Sequence, residues 1–144
     1  MNTDAQQHAL HALVGRTVHA LFTDDAGQFL RIDTDQGSLY WRTEAEEDGM
    51  TWYVRMSGVH YLLDATVRSA TVRQLPAVDC DGVPHSDFDV FYGVTIATDH
   101  GGGELVYRNS SAGFTRGWIS SETNDPADTL RPFEWRPVTD DWET

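Results

Sequence analysis

Lysine is missing from this sequence: all ten basic side chains are arginine, against 23 aspartates and glutamates, for a formal net charge of -13. The lysine gap reads as a bias of the coding sequence rather than as chemistry. The charge imbalance has a chemical consequence. A field of that sign repels phosphate backbones at long range and excludes tracking along nucleic acid unless the few arginines converge locally, while it favours basic protein partners and solubility. Cysteine occurs once, at Cys80, which excludes an internal disulfide and a four-cysteine metal site and fits an intracellular compartment. No apolar run approaches the ~18 residues that would mark a membrane span. The N-terminal MNTDAQQHALHALVG lacks the basic region and apolar core of a signal peptide. The expectation is a cytoplasmic protein with no membrane association.

Catalytic motifs are also missing. There is no GxSxG and no HExxH, and His8, His11, His19, His60, His85 and His100 stand in no zincin, nucleophile-elbow or kinase context. The carboxylates Glu44, Glu46, Glu47, Asp24 and Asp25 lie in stretches of turn composition, where a wet surface keeps both members of a pair ionised. The sequence therefore predicts neither an enzyme nor a cofactor.

What is present suits a folded domain. Hydrophobic residues make up 40% and aromatics 11% of 144 residues, enough for one core that buries roughly 70% of the unfolded surface. The chain reads as a single domain, 1–144. Residues 1–14 form an N-terminal helix or arm, with Ala9, Leu10, Leu13 and Val14 at helical spacing and Gly15 as the stop. Residues 15–123 form a β core, and 124–144 a proline-interrupted acidic tail anchored by Phe133, Trp135 and Trp142.

Within the core, RTVHALF, FLRIDT and SLYWR read as an antiparallel meander joined at DDAG and DQG. MTWYVRM and ATVRSATVRQL alternate as strands, GVHYLLD suits one helical turn, and VFYGVTIAT leads through DHGGG into ELVYR. The last pair, ELVYR and GFTRGWIS, reads as a hairpin with its corner at Gly113. The fold class is mainly β or α+β, a twisted antiparallel sheet or small barrel-like domain of about eight strands with one or two short helices.

Two stretches carry candidate chemistry. In ELVYRNSSAGFTRGWIS, residues Asn109, Ser110, Ser111 and Gly113 have the composition of a turn whose backbone amides can cradle an anion beside Arg108 and Arg116. The same residues also suit an ordinary hairpin loop whose serines bond their own backbone. Trp41, Trp52 and Trp118 are candidate stacking platforms for a base, or core residues covered by arginine. In DCDGVPHSDFD, the side chains of Asp79, Asp81, His85 and Asp87, with Cys80 and Asp89 beside them, are weak metal candidates by type alone. The spacing departs from a calcium loop, since no glutamate stands at the twelfth position and Pro84 interrupts it.

Three segments, LVGRTV, GVHYLLDATVRSA and FYGVTIATDHGGGELVYRNSSAGFTRGWI, resemble a family of small phage and bacterial domains of unknown function. Its members begin with a Leu-Ile-Gly-Lys-Thr-Ile-like run and end on a strand running into Ser-Asn-Gly-Tyr-Tyr. Ser111 and Gly113 match that ending, whereas Ala112 and Phe114 replace its asparagine and tyrosine. TEAEEDG stands where many members carry a cysteine-containing acidic motif. The resemblance implies a twisted β-rich fold and no reaction.

Three functions follow as expectations. The first is a small acidic, non-catalytic binding protein, a phage or mobile-element accessory that blocks a basic partner as anti-defence and immunity proteins do. A second is a sponge for a nucleotide signal, holding phosphate at the Arg108 to Arg116 loop and stacking the base, with a homodimer interface completing the pocket. The third is a metal-dependent hydrolase using the 79–87 carboxylates and His85.

Overall fold

The structure is a computed structural model and describes residues 3–46, 49–76, 89–111 and 116–143. The helix α1 spans Thr3–Leu13 and turns Ala9, Leu10 and Leu13 into the core. Gly15, at φ 87, ends it, and its amide donates to the Val67 carbonyl at 2.8 Å. Arg16 donates from Nε to the Ala12 carbonyl at 2.8 Å, a cation on the last turn where the helix leaves carbonyls unpaired.

The expected meander forms as β1 (Thr17–Thr23), β2 (Phe29–Thr34) and β3 (Gly37–Ala45). The Asp24 carboxylate closes the first turn by accepting the Gln28 and Phe29 amides at 2.8 and 2.9 Å. Next come β4 (Gly49–Ser57), the single turn α2 (Val59–Leu62), β5 (Ala65–Leu75) and β6 (Val90–Thr98). The chain continues with β7 (Gly101–Ser111), β8 (Gly117–Glu122), β9 (Arg136–Val138) and β10 (Trp142–Glu143).

All described pairings are antiparallel, in the order β10-β4-β7-β6-β5-β1-β2-β3-β8, with β9 lying beside β1. The sheet is twisted and its two end strands do not pair, so it stays an open sheet rather than a barrel. α1 lies on the concave face, against β8 and β5. Trp41, Tyr53, Leu105, Tyr107 and Ile119 point there and are fully buried. A smaller apolar cluster, Val54, Leu75, Phe91 and Val106 with Trp52, covers part of the convex face. Beyond residue 124 the chain returns to the sheet. Phe133 packs edge-on to Phe29 at 5.6 Å, Trp135 stacks on Tyr40 at 6.2 Å, and Trp142 packs on the main core.

One expected pairing is overturned. ELVYR and GFTRGWIS do not form a hairpin: β7 pairs with β4 and β6, whereas β8 pairs with β3 on the other side of the sheet. The reason is burial. β7 hides side chains on both faces, Leu105 and Tyr107 on one and Val106 and Arg108 on the other, so it needs a neighbour on each side and a cover over each face. β8 buries only Gly117 and Ile119, leaving Trp118 partly buried on the opposite face. Among the described residues no helix is long and apolar enough to cross a membrane.

Candidate functional site

Strand register sets Trp52, Arg108 and Phe91 side by side on the convex face of β4, β7 and β6. The Arg108 side chain is completely buried. Its Nη2 donates to Asp89 Oδ2 at 2.9 Å and its Nε to Oδ1 at 3.3 Å. The guanidinium carbon lies 5.5 Å from the Trp52 ring centre and 5.1 Å from that of Phe91. A buried fork–carboxylate pair between two rings is an anchor of the sheet.

Nearby, Glu104 draws Arg55 and Arg73 to 3.9 Å each. Arg31 pairs with Asp33 at 2.8 Å, Arg42 with Glu122 at 3.3 Å, and Arg136 with Asp25. Burial alone would raise Asp33, but hydrogen bonds from Arg31 and Ser38 outweigh it and hold its carboxyl below the ordinary range. Six of the ten arginines thus lie against acids of the same chain, most of them at the surface and Arg108 fully buried.

On the concave face the register aligns Tyr53, Tyr107 and Tyr92 across β4, β7 and β6. Tyr107 donates its hydroxyl to Gln6 Oε1 at 2.8 Å, and the same oxygen accepts the Ile119 amide at 2.9 Å. One buried glutamine of α1 therefore joins the middle of the sheet to its edge strand. Among the described residues the buried Tyr53 hydroxyl has no partner. Burial pushes the Tyr53 and Tyr107 hydroxyls far above their ordinary range. Tyr92, at the rim, is raised by burial, lowered by the Arg116 charge and raised by Glu46. Those two residues are tied together: the Glu46 amide donates to the Arg116 carbonyl at 3.0 Å, and the Arg116 amide to Glu46 Oε1 at 3.1 Å.

An open feature is the seam where β3 and β4, neighbours in sequence, part to opposite ends of the sheet. Thr43 bridges it by donating its hydroxyl to the Thr51 carbonyl at 2.8 Å, and the Tyr53 amide reaches the Gly27 carbonyl at 2.7 Å. Asn109, fully buried on β7, donates to Thr51 Oγ1 at 2.9 Å and to the Met50 carbonyl at 3.4 Å, while its own Oδ1 has no partner among the described residues. Gly117 fits against Thr51 and Asn109, where a Cβ would collide with both. Between the parted strands lies a cleft of about 360 Å³ lined by Gln28, Arg42, Thr43, Glu44, Ala45, Gly49, Met50 and Thr51. Chemically it offers acceptors and a carboxylate over a small apolar surface.

The structure brings some of the sequence-predicted residues together and separates others. Asn109, Ser110 and Ser111, expected in a turn that cradles an anion, are instead the last residues of strand β7, paired with Thr51, Met50 and Gly49 of β4, so their backbone is committed to the ladder; Trp118 lies opposite Glu44 through the β3 ladder. With Arg116 on Glu46, the described residues on either side of 112–115 meet the end of β3 and the start of β4 from two sides. Arg108 and Trp52 lie on the convex face, and Trp41 is fully buried on the concave one. Gly113 and the metal candidates Asp79, Asp81, His85 and Asp87 lie outside the described residues. Among those described, no group of three or more metal-ligand side chains occurs.

Sequence reasoning missed Gln6, Gln28 and the Thr51–Asn109 pair. A signal existed for Gln6: it shares the stripe of Leu10 and Leu13 on α1, and a polar residue on a buried stripe requires a partner. None existed for the others, because their role depends on strands that meet only in three dimensions. No protein-family model, curated protein or solved structure matches this chain, and the resemblance to phage and bacterial domains assigns it to no family.

Proposed function

We propose that this protein is a small acidic, non-catalytic binding protein that docks on and blocks a basic protein partner. The accessory role in a phage or mobile element, and the cytoplasmic location, belong to this proposal. The observation that supports it is the disposition of charge. Arg31, Arg42, Arg55, Arg73, Arg108 and Arg136 each lie against an acid of the same chain, within a molecule of net charge -13. These pairs take up six of the ten cations, and the excess of carboxylates is left to meet solvent and partners. Such a surface steers a basic protein in and rejects acidic ones.

The test is a binding titration of basic and acidic protein probes against salt. Affinity for the basic probe should fall about tenfold or more as the Debye length shrinks from about 14 Å to about 5 Å. Binding indifferent to salt, or confined to acidic probes, would overturn the reading. A nucleotide panel in a thermal-shift assay separates the other ligand class: a rise in melting temperature that Arg116→Ala abolishes would favour the sponge instead.

A further inference from the structure

We propose that the cleft between β3 and β4 is the anchor pocket of the docking surface and takes one arginine side chain of the partner. This rests on the reading of the protein as a binder of basic proteins and goes on to name the contact. Three independent features converge on it.

The first is shape with chemistry. The cavity of about 360 Å³ exists because consecutive strands join opposite ends of the sheet, leaving Thr43 to Ala45 and Gly49 to Thr51 without a ladder between them. Its walls combine the Glu44 carboxylate and the Gln28 carboxamide with the apolar Ala45 and Met50. That is the arrangement an arginine needs: acceptors for a planar fork of N–H groups and an apolar track for its three methylenes.

The second is that the acceptors are unspent. Among the described residues Glu44 makes no ion pair and the Gln28 side chain no hydrogen bond, while Arg42, the cation that lines the cleft, is held by Glu122 at 3.3 Å and lies over Phe29. Its charge is therefore already answered. A carboxylate without a partner, in a chain that pairs six arginines internally, is a place prepared for a cation from outside.

The third is the floor. Fully buried Asn109 holds the Met50 carbonyl and the Thr51 hydroxyl from behind, and Gly117 lets the β8 backbone close against both. The pocket wall is thus braced by the core and not left to a loop, which is the condition for a preorganised anchor. Met50, 63% exposed, stands at the lip as the one large apolar side chain there. Methionine suits such a lip because its flexible thioether adapts to an entering stem.

The experiment is fluorescence polarisation with a labelled, end-blocked peptide alternating serine and arginine, alongside its lysine and citrulline counterparts, at low salt. The arginine peptide should bind best, and Glu44→Gln should weaken it about tenfold. Asp128→Asn, which removes the same charge from an exposed turn that does not line the cleft, should weaken it less than about threefold. Met50→Ser should also weaken the arginine peptide while leaving the urea midpoint unchanged, which separates loss of the lip from loss of the fold. Amide shifts on titration should centre on Thr43 to Ala45 and on Met50 and Thr51.

Equal losses in Glu44→Gln and Asp128→Asn would overturn the anchor and leave the acidic docking surface standing. Equal binding of the lysine peptide would overturn the assignment to a guanidinium. If the unmodified protein binds neither basic peptide, both the anchor and the broader reading fail.

Discussion

Tyr53 and Tyr107 are neighbours of the same chemistry in opposite circumstances. Tyr107 spends its hydroxyl on Gln6, whereas Tyr53 buries its hydroxyl with no partner among the described residues. Tyr53→Phe should therefore raise stability by about 1 kcal/mol and Tyr107→Phe lower it by a similar amount, read from urea midpoints at constant slope. Both hydroxyls are raised by burial above the usual value of 10.0. A raised folded value means that the folded protein keeps its protons when the unfolded chain has lost them. The contribution is complete below pH 10 and drains away as pH climbs toward the folded values, by about 1.4 kcal/mol per pH unit for each tyrosine. Alkaline denaturation curves should flatten above that pH in the Tyr53→Phe/Tyr107→Phe double variant. Arg108 gives the opposite lesson about burial. Arg108→Met takes the guanidinium fork away from the buried Asp89 carboxylate and should cost about 3–5 kcal/mol, part of which Asp89→Leu in the same chain should restore.

Among the elements, α1 depends most on tertiary contact. Its 11 residues are too few to persist alone in water, and it is held by an apolar stripe plus the double acceptor Gln6 Oε1. Gln6→Leu keeps the stripe but leaves the Tyr107 hydroxyl and the Ile119 amide unsatisfied. A loss of about 2–4 kcal/mol is expected, together with faster amide exchange in α1 and β8 than in β6. The local elements were legible because local signals specify them. Gly15 stopped the helix, DDAG and DQG closed the meander, and Gly58 to Leu63 made its helical turn. The candidate site was legible only in part. Asn109, Ser111, Arg116 and Trp118 stand around the β3–β4 connection, but the cleft belongs to Glu44, Gln28 and Met50, which no local pattern singles out.

For the whole molecule the governing quantity is self-repulsion. Net charge -13 on a chain of 144 residues opposes compaction, and mobile cations relieve it. Melting temperature should climb as sodium chloride is raised from about 10 mM to about 150 mM, where the Debye length falls from about 30 Å to about 8 Å. A flat or falling response would show that the internal arginine–acid pairs, which salt weakens, outweigh the repulsion.

The sequence by itself determined the charge, the mainly antiparallel β character and the turns of the first meander. Alternation of apolar residues and the conformational needs of glycine and aspartate turns act over a few residues, so they can be read without a fold. Which strands become neighbours was decided only in three dimensions. The turn-like NSSAG suggested that β7 and β8 pair, yet β7 carries buried residues on both faces and goes to the middle between β4 and β6, which sends β8 to the far edge beside β3. That one choice parts β3 from β4, opens the cleft and places Glu44 in it. A pairing of this kind depends on two faces being covered at once by segments distant in sequence, and no local pattern encodes that condition.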